Sequence, residues 1–201
     1  MYAIIPAAGH SHRMGQPKLL LPWHQGTVLD CVLQTWLQSQ IEKVIVVARA
    51  DDAELLEQVE RHPVEIVTPD VAPPDMKQSI LHGLEHIEAR YAPDADDAWL
   101  FAPADMPTLQ RLVIDGLIAA RREHAGKVLV PHFAEKPGHP VLMPWSQVTA
   151  VRKLGADQGL NAIVASERTV SIHFSRELYP TDLDSPSDYK RLRGETGNSK
   201  S

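Results

Sequence analysis

Short apolar runs alternate along this chain with longer stretches in which apolar residues recur every three or four positions. The short runs, at residues 3–6, 44–48, 64–67, 99–101, 128–131, 141–143 and 170–174, are rich in Val, Ile and aromatic side chains and predict strands. Residues 28–37, 55–59, 112–118 and 160–164 carry the helical period, as does the face formed by Ile80, Leu81, Leu84 and Ile87. A last short helix is predicted over 187–192, opened by Ser185-Pro186-Ser187-Asp188. Strands that are apolar throughout must be buried on both faces, so the pattern predicts a three-layer α/β domain with a mostly parallel central sheet. No repeat or linker divides it: residues 1–193 read as one domain and the polar residues 194–201 as a disordered tail.

Composition narrows the functional classes. The 201 residues, 43% of them hydrophobic, suffice for a single core without a disulfide or structural metal. A formal net charge of -6 argues against a broad nucleic-acid face but leaves room for a small cationic pocket around one phosphorylated ligand. The single cysteine, Cys31, excludes an intrachain disulfide and implies a cytoplasmic setting. The start of the chain has no basic leader, and no apolar stretch is long enough to span a membrane. Ten histidines, including His10, His12 and His24, do not fall into the spacing of a zinc site.

The chemistry concentrates in the loop after the first strand, Pro6-Ala7-Ala8-Gly9-His10-Ser11-His12-Arg13-Met14-Gly15-Gln16-Pro17-Lys18. Small residues and two glycines let a polyanion approach the backbone amides, and Arg13 and Lys18 supply positive charge. The spacing matches neither a P-loop nor the dinucleotide fingerprint: five residues separate Gly9 from Gly15, and Lys18 comes later. By itself such a loop is more often a surface turn. Asp105, in the turn Pro103-Ala104-Asp105-Met106-Pro107 just past a predicted strand, reads either as a metal-binding carboxylate or as a cap of the next helix.

The loop from Ala7 to Lys18 resembles the signature of the nucleotidyltransferase superfamily, in particular the molybdopterin nucleotidyltransferases and the molybdenum cofactor cytidylyltransferase group. Leu19-Leu20-Leu21-Pro22-Trp23, the turn around Asp105, Gly138-His139-Pro140-Val141-Leu142 and Asp182-Leu183-Asp184-Ser185-Pro186-Ser187-Asp188 resemble the same group, in the same order, across residues 3–189. The resemblance implies a Rossmann-like nucleotidyltransferase fold and a Mg²⁺-dependent transfer of CMP from CTP to the terminal phosphate of molybdopterin. It gives Arg13, Lys18 and Asp105 catalytic roles, and Asp105 with Asp184 (Asp182 being the alternative) the metal. Ala7, Ala8, Gly9, Arg13, Gly15, Lys18 and Ser79 would contact the nucleotide and His139 the acceptor. For Ser79 and His139 the plain readings, an early helical residue and a turn residue, stand beside these.

The Pro-Ala-Ala-Gly form is similar to the cytidine-using branch, whereas the guanine-using branch usually has a further glycine. One departure stands out: the glycine usual before the metal-binding aspartate is Ala104 here. Where that position needs positive φ, alanine costs about 1 kcal/mol. The resemblance also implies docking to a target molybdoenzyme. Two rival functions follow: a related transferase using GTP or a sugar phosphate, and a non-catalytic carrier or insertion chaperone for the cofactor.

Overall fold

A computed structural model describes residues 1–10, 14–165 and 168–197. In chain order the elements are β1 (Tyr2–Pro6), a two-stranded ribbon of β2 (Pro22–Trp23) and β3 (Gly26–Thr27), α1 (Val28–Leu37), β4 (Lys43–Val47), α2 (Ala53–Glu60), β5 (Glu65–Val67), α3 (Met76–Tyr91) and β6 (Ala98–Phe101). There follow α4 (Arg111–Ala120), β7 (Val128–Phe133), β8 (Lys136–Pro137), β9 (Val141–Pro144), α5 (Val148–Arg152), α6 (Asn161–Val164), β10 (Thr169–Phe174) and α7 (Pro186–Gly197).

The main sheet runs β10-β7-β9-β6-β1-β4-β5, with β8 paired to β7. β1 lies parallel between β4 and β6, and the β4–β5 and β7–β10 pairs are also parallel. β9 is antiparallel to both neighbours, because it is reached from β7 through the short β8 turn without a crossover helix. The fold is thus the expected mostly parallel α/β sheet, with β9 and the two-residue β8 reversed.

Alternation along the strands feeds two cores. Ala3 and Ile5 of β1 face the layer of α1, α2 and α4, while Tyr2 and Ile4 face α3, α5 and α6. Gly83 allows α3 to lie against β1, since a Cβ there would come 2.7 Å from Ile4 Cγ2. Thr27 begins α1 with a reciprocal capping box to Asp30, and Asp52 and Asp75 cap α2 and α3.

Two differences from the sequence pattern stand at the carboxyl-terminal end. α5 had no clear period, being too short to display one, yet Val148 and Val151 are buried. α7, expected over 187–192, continues through Gly197 and so takes in the first residues of the expected tail; residues 198–201 lie outside those described.

Candidate active site

Parallel pairing brings the carboxyl ends of β1, β4 and β6 to one edge of the sheet, and the loops leaving them form a common cleft. Two backbone hydrogen bonds fasten the loop bases: Ala7 N donates to Val47 O at 2.8 Å, and Ala104 N to Pro6 O at 3.3 Å. Ala7 and Ala8 are buried, Gly9 and Gly15 are exposed, and Gly15 has a left-handed φ of 66°. A cavity of about 410 Å³ opens between this loop and the β4–α2 junction, lined by Ala7, Gly9, Gly15, Arg49 and Asp52 among others. Arg13 lies outside the described residues.

Lys18 reaches across the cleft. Its Nζ donates to Asp105 Oδ2 and stands 3.8 Å from Asp184 Oδ1. Side chains of Lys18 and Asp105 are mostly buried, at 17% and 15% exposure, so this pair sits in a medium that strengthens its field. The cap alternative for Asp105 does not hold: α4 starts at Arg111 behind Gln110, which makes no side-chain cap.

The segment 181–184 closes the cleft from the other side. Leu183 is fully buried and its N–H donates to Asp105 O at 2.9 Å. Asp184 Oδ1 comes 3.8 Å from Lys18 Nζ, and Asp182 feels the charges of Asp105, Asp184 and Lys18, so both carboxyls belong to the same cluster. Asp182 is pushed up to about 6, first by loss of hydration and then by the negative charges of Asp105 and Asp184, against the pull of Lys18. The residue keeps exposed surface, so the effect belongs to a carboxyl held among other carboxylates at the mouth of the cleft. Ser185 and Asp188 bond reciprocally at the start of α7, the turn and cap expected there.

Oxygen donors of this kind suit a hard divalent cation. Asp105 Oδ1 is buried without a hydrogen-bond partner among the described residues, an acceptor open to a cation. Among those residues no three His, Cys, Asp or Glu side chains enclose a metal unaided. Mg²⁺ commonly takes only one or two carboxylates and completes its shell with substrate phosphates and water.

His139 stands beside the cleft, its ring edge-on to Phe101 at 5.6 Å. Burial lowers its pKa against the opposing influence of the Phe101 backbone and Asp105, and its Nδ1 is buried without a partner among the described residues. Ser79 lies one turn into α3, buried, with Oγ donating to Asp75 O at 3.2 Å; it stands apart from the lining of the cavity by Ala7. Ala104 is buried and does not enter the left-handed region, so alanine is accommodated without the backbone cost considered above.

Arg49 was not singled out from the sequence. It follows the carboxyl end of β4, donates from Nη1 to Ala8 O at 3.3 Å and Gly9 O at 3.4 Å, and pairs with Asp51 and Asp52. It thereby ties the opening loop to the cap of α2. The signal available was its position: a cation directly after a parallel strand, where ligand-binding loops gather.

Residues 3–171 match the model of a MobA-like NTP transferase domain. The chain is 28% identical over 187 residues to the molybdenum cofactor cytidylyltransferase of Escherichia coli (strain K12), with 92% of each chain covered. It is 30% identical over 106 residues to a probable molybdenum cofactor guanylyltransferase of Bacillus thuringiensis (strain Al Hakam), a match covering 53% of this chain and 49% of that one. The fold is similar to that of the Mycobacterium tuberculosis rv0371c homolog from mycobacterium sp. strain JC1, with a TM-score of 0.82, 26% identity and 98% and 96% of the two chains covered.

Proposed function

The chain belongs to the MobA-like NTP transferase family, and on that premise we propose that this nucleotidyltransferase moves CMP from CTP onto the terminal phosphate of a molybdopterin-type acceptor, with Mg²⁺ as cofactor. The observation that carries the reading is the Lys18–Asp105 pair, set against Asp184 and next to a buried, unpartnered Asp105 Oδ1 at the carboxyl edge of the sheet.

An oxygen of the acceptor phosphate attacks the α-phosphorus of the nucleotide. A new P–O bond forms, the bond to the bridging α–β oxygen breaks, and pyrophosphate leaves with the electron pair. The acceptor oxygen is already anionic at neutral pH, so alignment and charge stabilisation are the enzyme's tasks. The opening loop offers backbone N–H groups to the phosphates, and Arg49 holds the carbonyls of Ala8 and Gly9 in place. Lys18 meets charge developing around the α-phosphate, with Arg13 toward the leaving pyrophosphate. Asp105 and Asp184 would hold Mg²⁺, which when bound neutralises phosphate oxygens and the leaving group.

Preference for CTP is supported by the Pro-Ala-Ala-Gly loop and by near-complete coverage of the cytidylyltransferase relative. The carrier alternative drew on Ala104, and the unstrained backbone there removes that support. Docking to a target molybdoenzyme and action in the cytoplasm complete the reading; no helix among the described residues is long and apolar enough to cross a membrane. The test is pyrophosphate release with Mg²⁺, molybdopterin and each of the four nucleoside triphosphates, comparing the native chain with Asp105→Ala. CTP-selective release that the substitution abolishes is expected; selective release with GTP, or turnover only with a sugar phosphate, overturns the assignment.

A further inference from the structure

A second, larger cavity of about 680 Å³ lies between the β7–β8 turn, the stretch after β10 that includes Thr181, and α7. Its apolar wall is Phe133 and Tyr179, whose rings meet edge to face at 5.4 Å and 88°. Phe133 is itself stacked on Phe174, with centroids 5.8 Å apart, so the wall is braced from behind. Tyr179 is 40% exposed, which leaves part of a large aromatic side chain uncovered at the cavity.

The rim is cationic in an acidic protein. Lys136, Arg176 and Arg191 line the cavity together with one acid, Glu135. Arg191 pairs with Asp188 at 3.4 Å, whereas the side chains of Lys136 and Arg176 make no hydrogen bond or ion pair among the described residues. An aromatic wall in a cavity lined by several cations is the chemistry that takes a flat ring bearing anionic groups.

The cavity adjoins the reacting centre through shared elements. Thr181 lines it, and its neighbour Asp182 feels the charges of Asp105 and Asp184. Behind the wall, Gly138 packs so closely that a Cβ there would come 2.8 Å from the Phe133 ring, and the next residue is His139, which feels Asp105. The cavity is thus one residue removed, at Thr181, from a carboxyl that feels Asp105 and Asp184, and its Phe133 wall touches the residue before His139.

We propose that this cavity is the acceptor pocket: Tyr179 stacks on the planar ring of a phosphorylated heterocycle, Lys136 and Arg176 hold its anionic groups, and its terminal phosphate extends to the Asp105 cleft. The inference rests on the nucleotidyl-transfer reading above and adds to it the residues that select the acceptor.

The test is the double substitution Lys136→Glu/Arg176→Glu at exposed positions, with Arg122→Glu/Lys127→Glu, at the opposite end of β7, as the charge-matched control. In pyrophosphate-release assays with molybdopterin and CTP, the pocket variant is expected to raise the acceptor KM about tenfold or more while leaving the CTP KM and kcat near their native values. The control and the conservative Lys136→Arg/Arg176→Lys are expected to keep native KM. An unchanged acceptor KM in the pocket variant, or an equal rise in the control, overturns the pocket. A separate titration follows fluorescence of a pterin with a phosphate monoester side chain, without nucleotide. Native binding lost in the pocket variant, in a chain that turns over no triphosphate, supports the pocket and refutes the transfer reading; no native binding of the pterin overturns the pocket.

Discussion

Lys18 and Asp105, 87 residues apart, form an ion pair that joins the loop after β1 to the turn after β6. The strands themselves are hydrogen-bonded neighbours, so the pair lies at the end of the shortest path the sheet offers between two distant segments. Each partner is mostly shielded from solvent. Under the proposed reading, the cation that meets the triphosphate is thereby held beside the carboxylate that takes the divalent cation.

Replacing Lys18 with Ala or Asp105 with Asn is expected to lower kcat/KM by about a hundredfold or more, the scale at which lost electrostatic stabilisation is felt in a shielded site. Initial-rate assays of pyrophosphate release check this. Circular dichroism should show retained secondary structure, since neither side chain belongs to a hydrophobic cluster.

Asp182 carries a pH signature. Its carboxyl is raised from 3.8 to about 6 in the folded protein, so between those values the folded state binds more protons than the unfolded chain. Its contribution to stability accordingly falls as pH rises through that window and stays lost above it. Asp182→Asn is expected to raise Tm relative to the native chain at neutral pH and to leave it nearly unchanged near pH 4. Mg²⁺ with nucleotide should narrow the neutral-pH difference. Thermal denaturation across the pH series, with and without these ligands, measures both effects.

Arg49→Ala removes the donor that steadies the Ala8 and Gly9 carbonyls. The expected result is a rise of about tenfold in the CTP KM with a smaller change in kcat, because the loop must then be ordered at the expense of binding. Saturation kinetics in both substrates separate this from damage to the acceptor side, whose KM should not move.

The two loop glycines should part company on substitution. At Gly15, with φ at 66°, alanine is expected to cost about 1 kcal/mol of stability. At Gly9 a Cβ meets nothing within 4 Å, so Gly9→Ala should leave Tm alone yet weaken CTP binding where the added methyl stands between phosphate and backbone. Denaturation curves and nucleotide titration read the two outcomes separately.

Gly83→Ala tests the packing that positions β1. Its Cβ would come 2.7 Å from Ile4, and overpacking of that kind costs about 1–3 kcal/mol. Urea denaturation is expected to show the loss as a lower midpoint at unchanged slope.

Local pattern carried much of the fold. The apolar runs at residues 3–6, 44–48 and 99–101 are strands because a buried parallel strand must be apolar on both faces, a property visible residue by residue. The opening loop and Asp105 were likewise legible, since small residues, glycine and charge directly after such a run mark the functional edge of an α/β sheet. Short or context-dependent elements were not: α5 is too brief to express a period, and α7 outruns its polar composition.

What the sequence by itself determined is the class of the protein: its strands and helices, its cleft edge, and through its ordered motifs its kinship with the nucleotidyltransferases. Only the tertiary structure decided how those parts meet: that Lys18 bridges Asp105 and Asp184, that buried Leu183 anchors the segment of Asp182 and Asp184 to Asp105, that Arg49 braces the opening loop, and that Tyr179 and Arg176 share a cavity with Lys136. The physical reason is that periodicity records which side of an element is buried, whereas a site depends on distances between elements, and those are set by strand order and by the packing of side chains far apart in the chain.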